Sequence, residues 1–356
     1  MAAPLQPDPE DSMKSTWRTW DRKKWNQHHF ILNFVKAHPY DLDKPVPVHA
    51  KTDKIPYLNQ LSVQIWLVYH SMIPLVIHQM WLSFSTYQTM HWTVALSLYI
   101  VAFNLTFIHE VNAIRRLAHQ YGFLDGDEHD RDGVPDVGVH RVTESAPRLT
   151  VARMVMVMYF SYDAAAAPLD VLTSARWWLW LAAEIGLYSM ALDFWFYWYH
   201  RAMHDVPFLW KFHRKHHLTK HPNSMLSAYS DDVQELFDMA VIPLLGYLTL
   251  CVFGLKLGFF EWYICHQYVA FSEVWGHSGL RIHFTPPLPW YALLHLLEVE
   301  GVTEDHDLHH RYGYRKSNNY SKQSRLWDKV FGTARGRIES VEENVDYVNQ
   351  AQMPFF

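Results

Sequence analysis

The sequence predicts an all-α fold: a multi-pass membrane bundle with a histidine-rich cap on the cytosolic side. Three observations lead there. Apolar, aromatic-rich stretches of membrane-spanning length alternate with polar segments, and histidine accounts for 24 of 356 residues. Those histidines gather just beyond the ends of the apolar stretches. The apolar share, 49%, is ordinary for a soluble protein, so the membrane reading rests on local segments and not on the average.

Residues 1–60 read as a polar arm in which basic and aromatic residues mix between Lys14 and Trp25. It lacks a basic stretch followed by an apolar one, so no cleavable signal peptide is expected. Residues 61–175 hold a membrane hairpin, a charged loop and an amphipathic connection. The hairpin is 62–83 and 91–109, each long enough to span about 30 Å of hydrocarbon. Lys51 and Lys54 before it and Arg115 and Arg116 after it place both ends on the cytosolic side. Residues 120–148 are charged and Gly-rich and read as a solvated loop; their Asp-Gly-Asp run lacks the ligand spacing of a calcium loop.

Residues 176–335 carry an aromatic-heavy span at 176–199 and a second hairpin at 240–258 and 259–275. A tail, 336–356, follows. If the histidine-rich segments share one side, an even number of crossings must precede His200. Either 149–168 crosses as well, or 176–199 is bent. Packing of these stretches as core helices of a soluble α protein is the competing reading.

Composition removes several function classes. A formal net charge of −5 argues against nucleic acid as the main partner. Cys251 and Cys265 both sit in apolar surroundings, which excludes a disulfide framework and a cysteine zinc site. Metal chemistry must therefore fall to histidine.

Four places carry that chemistry. His200 and His204 are spaced i, i+4, which puts two imidazoles on one helix face. His213, His216 and His217 follow as H-x-x-H-H, and on a helix His213 lies below both others. His277 stands alone in W-G-H-S-G, and His306, His309 and His310 repeat H-x-x-H-H. Nine histidines are about what two six-coordinate ions need with positions left for oxygen. Imidazole suits iron, copper, nickel and zinc but not magnesium or calcium. A closed zinc site wants only four ligands, and zinc does not change oxidation state.

Other histidines read differently. His70, His78 and His266, inside apolar stretches, are expected to be satisfied by hydrogen bonds, and His109 reads as an interface residue. His295 is given no role. His221 and His283 read either as ligands or as residues behind the ligands. Ligating histidines usually give their other N–H to a carboxylate or carbonyl. Asp193, two turns before His200, is the expected partner of that ring. Glu273, four before His277, and Asp205, Asp305 and Asp307 are further candidates.

D-F-W-F-Y-W-Y-H-R-A-M-H (193–204), H-R-K-H-H (213–217), H-S-G (277–279), D-H-D-L-H-H (305–310) with Asn319-Tyr320, and W-D-K-V-F-G-T (327–333) together resemble the fatty acid hydroxylase superfamily. The resemblance covers roughly 176–335. It implies an integral membrane oxygenase of the endoplasmic reticulum with its histidines facing the cytosol. The nine histidines would hold two irons. O2 would be the co-substrate, with NAD(P)H-derived electrons arriving through a separate cytochrome b5-type donor.

Hydroxylation of a C–H bond in an apolar, lipid-like substrate is the implied reaction, with desaturation as the alternative. Sterol, sphingoid base, fatty acyl chain and specialised metabolite all stay open as substrates. The segment after the second cluster, L-T-K-H-P-N-S-M-L-S-A-Y-S-D-D-V-Q-E, departs from the sterol and sphingolipid branches. A basic surface after residue 300, including Arg311, Arg315 and Lys316, reads as a docking face for an acidic electron carrier or anionic lipid. A histidine-rich metal transporter is the reading from a different class. It would want ligands inside the spans. A catalytically inactive lipid-binding relative would lack part of the ligand pattern.

Overall fold

The computed structural model describes residues 8–355, so the first seven residues of the expected arm lie outside it. In chain order the elements are α1 (Gln27–Phe34), β1 (Ile55–Leu58), α2 (Gln60–Phe84), α3 (Trp92–Tyr121), α4 (Val139–Ser161), α5 (Pro168–Leu172), α6 (Ala175–Asp205) and α7 (Pro207–His213). Then come α8 (Asp232–Leu236), continued by a π-helical turn (Phe237–Val241) into α9 (Ile242–Val252), α10 (Phe259–Gly276), α11 (Tyr291–Leu296), α12 (Thr303–Tyr312), α13 (Leu326–Val330) and β2 (Val345–Ala351). The all-α expectation holds apart from one two-stranded parallel pairing, β1 with β2.

Local chemistry sets the helix starts. Asn59 caps α2 by accepting from the Ser62 amide, and Ser174 caps α6 by accepting from Trp177. Along α2, Leu61, Ile65, Ile73, Ile77 and Met80 are exposed while Val63, Trp66, Leu67 and Leu75 are buried. An apolar outer face on a helix whose inner face is also apolar is what a lipid environment selects. Among the described residues three helices are long and apolar enough to cross a membrane: Gln60–Phe84, Trp92–Tyr121 and Asp232–Val252.

The long helices follow one another as three consecutive up-and-down pairs, α2 then α3, α4 then α6, and α9 then α10, with α6 packed chiefly on α9 and α4 on α3. Their tips meet at one end. The Tyr162 hydroxyl after α4 donates to the Met90 carbonyl between α2 and α3 at 2.5 Å. The Tyr162 ring also sits edge-on to Phe259 at the start of α10, 5.1 Å between centroids. α4 runs away from the histidine end and α6 returns to it, and neither is among the described helices long and apolar enough to cross a membrane. Residues 176–199 and 259–275 were expected as spans, and neither is among those helices. α6 carries Arg176, Glu184 and Asp193, and α10 is almost wholly buried at the centre of the bundle, packed against α2, α3, α4 and α6.

Two further expectations are corrected. The arm is not a free polar segment: Trp17 is fully buried, and Asp136 accepts from the Thr16 and Trp17 amides at 2.6 and 2.8 Å. Nor is 120–148 a solvated loop. Asp125, Arg131 and Val134 are buried, and α4 begins within it at Val139.

Candidate metal centre

α6 ends, α12 begins and α10 stops at the same place, so their histidines converge. The nine expected residues fall into two groups: His200, His204, His213, His217 and His309, and beside them His216, His277, His306 and His310. Within each group the ligand atoms lie within 4.8 Å of one another. Each H-x-x-H-H motif is divided. The i, i+4 pair His213 and His217 goes to the first group and His216 to the second, whereas His306 and His310 go to the second and His309 to the first. A separation of i, i+4 keeps two rings on one face, and the i+3 residue projects to the neighbouring one. The 213–217 motif is not a continuous helix: α7 ends at His213 and a 3₁₀ turn holds His216 and His217.

Six of the nine rings are fixed from behind, five of them by backbone, whereas the Nδ1 atoms of His216 and His217 are buried without a hydrogen-bond partner. His200 Nδ1 donates to the Tyr320 carbonyl at 2.8 Å, His204 to Tyr314 at 2.9 Å and His309 to Asn318 at 2.7 Å. His277 donates to the Glu273 carbonyl at 2.9 Å and His310 to Thr219 at 3.2 Å. His213 Nδ1 donates to the Gln234 Oε1 at 3.0 Å. A carbonyl only accepts, so each of these rings carries its proton on Nδ1 and turns the Nε2 lone pair inward.

The inward atoms fit metal ions. Nε2 of His213 lies 3.1 Å from that of His200 and 3.0 Å from that of His217; His309 and His217 are 3.1 Å apart. In the second group His277 is 3.1 Å from His216 and 3.0 Å from His306. Metal–nitrogen bonds of about 2.1 Å at right angles require nitrogen edges of about 3.0 Å. The Nε2 atoms of His204 and His310 are buried with no hydrogen-bond partner, which a bound ion would supply. Burial, with the neighbouring rings adding to it, holds His216, His217, His309 and His310 well below the usual histidine range. Burial alone takes His277 down to about 3. These imidazoles are neutral near pH 7, the form that ligates.

The carboxylates act one step further out than expected. Asp193 does not reach His200; it accepts from the Lys322 and Gln323 amides at 2.7 and 2.8 Å and from the Ser324 hydroxyl at 2.7 Å. Asp328 accepts from the Tyr320 and Ser321 amides. Together they pin the loop whose carbonyls hold His200 and His309. Asp305 caps α12 and pairs with Arg337 at 2.9 Å. Asp205 pairs with Arg201 on the surface, and Asp307 is buried between Arg131 and Arg311. Glu273 alone sits at a ligand ring, 3.4 Å from His277 Nδ1, and is paired with Lys322.

His221 and His283 join neither group. His221 stacks on His129 at 4.4 Å beside Asp125, and the His283 amide donates to Pro56. His295 lies against Glu300. His70 is satisfied by the Trp66 carbonyl, and His109 stacks on Trp66 while bonding the Phe355 carbonyl.

Arg131 had no sequence signal. It crosses from the 120–148 segment to Asp307 and donates to the Leu124 carbonyl at 2.5 Å. Gly279 makes room for it: its φ is +59°, and a Cβ there would lie 2.0 Å from Arg131 Nη1. The carbonyl acceptors Tyr314 and Thr219 were equally hidden, because any residue supplies a carbonyl. The basic surface after residue 300 is largely spent internally, with Arg311 on Asp307 and Asp125, and Arg337 on Asp305. The side chain of Arg315 lies outside the description.

A cleft opens beside the second group, lined by His277, His306, Glu273, Lys322, Phe284 and Asn319 among others.

Residues 185–333 match the fatty acid hydroxylase family model. The fatty acid hydroxylase vlmA of a Lecanicillium species is 43% identical over 316 residues, 86% of this chain and 86% of that one. The chain belongs to the fatty acid hydroxylase family. Methylsterol monooxygenase 2-2 of Arabidopsis thaliana is 31% identical over 48% of this chain and 59% of its own length. Human alkylglycerol monooxygenase is 27% identical over 46% and 32%. No solved structure matches. As a member of a family of hydroxylases and monooxygenases, this chain is an oxygen-dependent oxidoreductase. The match to vlmA extends well beyond the segment that carries the motifs.

Proposed function

We propose that the chain is a membrane-bound di-iron hydroxylase that inserts one oxygen atom of O2 into a C–H bond of an apolar, lipid-like substrate. The observation that carries this reading is the five-plus-four arrangement of inward Nε2 atoms at 3.0–3.1 Å edges beside a cleft. The first group would hold one iron and the second, with His277, the other. Two bound irons would supply O2 activation, with electrons from a separate NAD(P)H-linked donor of the cytochrome b5 type. Iron fits better than zinc because the reaction changes oxidation state and nine ligands exceed a closed zinc site.

The chain's own contribution is positioning and exclusion of water. The Nδ1–carbonyl bonds hold five of the rings before any metal enters, so little reorganisation is needed on binding. Phe284 and Pro286 give the cleft apolar wall beside the ligands, against which a hydrocarbon segment can lie. The Glu273–Lys322 pair beside His277 places a carboxylate and an ammonium at the cleft, where a proton can be held at Glu273 Oε1 close to His277 Nδ1. In this reading the enzyme acts at the endoplasmic reticulum membrane, with the histidine end towards the cytosol and the helix tips on the far side. Hydroxylation is preferred over desaturation because the relatives are named hydroxylases and monooxygenases. A transporter would place its ligands within the spans, yet the groups lie beyond them.

The test is comparative lipid and metabolite profiling of microsomes expressing the protein against a His309→Ala control. A hydroxylated apolar product present with the wild type and absent with the variant supports the reading; identical profiles with the substrate pool supplied and a reductase present refute it.

A further inference from the structure

A second, open cleft lies between α3, α4 and α10, with walls that include Phe103, Phe107, Leu149 and Val274. Two charged side chains line this largely apolar space, Arg153 and, at the edge it shares with the first cleft, Glu273. Arg153, on α4, is only 5% exposed. Its guanidinium carbon sits 5.4 Å from the Phe103 ring centre, its Nη2 meets only the Met239 sulfur at 2.7 Å, and its Nε has no partner. Among the described residues no carboxylate lies within ion-pair distance of it. Asp238, the buried acidic side chain whose field reaches it, accepts from Gln234 at 3.2 Å through Oδ2 and has no hydrogen-bond partner on Oδ1, so it offsets the guanidinium at a distance without contacting it. Asp238 and Met239 stand on the π-helical turn Phe237–Val241, a distortion common at functional sites.

A buried guanidinium without a carboxylate is costly unless something else brings the negative charge. The cleft is where that partner would come from. Glu273 lines both this cleft and the one at His277 and His306, so the two meet at the Glu273–Lys322 pair.

We propose that Arg153 anchors the carboxylate of an apolar chain, which occupies the α3–α4 cleft and passes Glu273 to reach the histidine groups. This rests on the oxygenase reading for the chemistry, but not for the binding. The planar guanidinium matches a carboxylate in two-point contact, and the aromatic and aliphatic wall accepts the hydrocarbon. A methyl ester or alcohol of the same chain length offers no charge to offset the buried cation. Arg153 is therefore a specificity-determining residue, and free acids are preferred over neutral lipids of equal length.

The experiment measures displacement of a fluorescent fatty acid from detergent-purified, metal-loaded protein by palmitate and by methyl palmitate. The wild type should bind the acid at least roughly tenfold more tightly than the ester, the fold-change that a hydrogen-bonded charge pair brings. Arg153→Gln should lose that preference by weakening the acid alone, and Arg153→Lys should keep part of it. A wild type that binds both equally overturns the proposal, even should Arg153→Gln fail to fold. So does a folded Arg153→Gln protein that keeps the full preference. Binding is read without turnover. Failure of the oxygenase reading would show instead as selective acid binding with no oxygenated product.

Discussion

At the scale of single residues, most of the site histidines are held by what stands behind them. Gln234 is the one side chain among the Nδ1 acceptors, on His213. Gln234→Leu should leave the fold intact and lower metal affinity by about 10–100-fold, the usual cost of losing a ligand's outer partner, measured as the rate of metal release to a chelator. Asp193 acts through backbone: Asp193→Ala would strand two amides and a hydroxyl in the 322–324 turn. A loss of about 1–3 kcal/mol per stranded group is expected, seen as a lower denaturation midpoint, with faster metal release as the Tyr320 carbonyl loosens. The nine inward residues were legible because their spacing is itself geometric. Their outer partners were not, since Asn318, Tyr320, Tyr314 and Thr219 contribute carbonyls that carry no side-chain signature.

At the scale of elements, the site is a junction of helix ends clamped by a loop. The apolar periods of α2 and α3 announced their helices, and the expected hairpin is present. The 120–148 segment misled because its charges look solvated in sequence, whereas two of them, Arg131 and Asp125, meet partners far along the chain. Arg131 pairs with Asp307, and Asp125 with Lys51 and Arg311. Charge pairing between residues so far apart leaves no local pattern. Arg131→Met should destabilise the protein by about 3–5 kcal/mol, the cost of breaking a buried pair, and show as earlier heat inactivation in detergent. Similarly, 259–275 was read as one arm of a membrane hairpin because it is apolar and aromatic-rich, whereas α10 lies buried among the other helices. Burial at the bundle centre selects the same composition as lipid does.

At the scale of the whole molecule, three up-and-down helix pairs put every tip at one end and every ligand at the other. A reporter tag placed in the α2–α3 turn should be protected from protease in intact microsomes, while one after Lys316 should be cleaved; the reverse pattern would invert the orientation. Acid should undo the assembly. The site imidazoles are held below their unfolded value of about 6.5, so below that pH the unfolded chain binds more protons than the folded one. Stability contributed by these groups is complete above about pH 7 and falls as pH drops through 6.5 towards the His277 value of about 3, which denaturation midpoints across that range would record. Protons also compete with metal for Nε2, in the same direction. The central claim is that the two histidine groups bind two irons. Metal analysis of anaerobically purified protein, with Mössbauer spectroscopy of the iron-57 form, tests it most directly. The account predicts about two irons per chain in coupled, nitrogen-rich sites, with His204→Ala and His310→Ala each losing iron. Zinc alone at full occupancy, or one iron per chain untouched by His310→Ala, would contradict it.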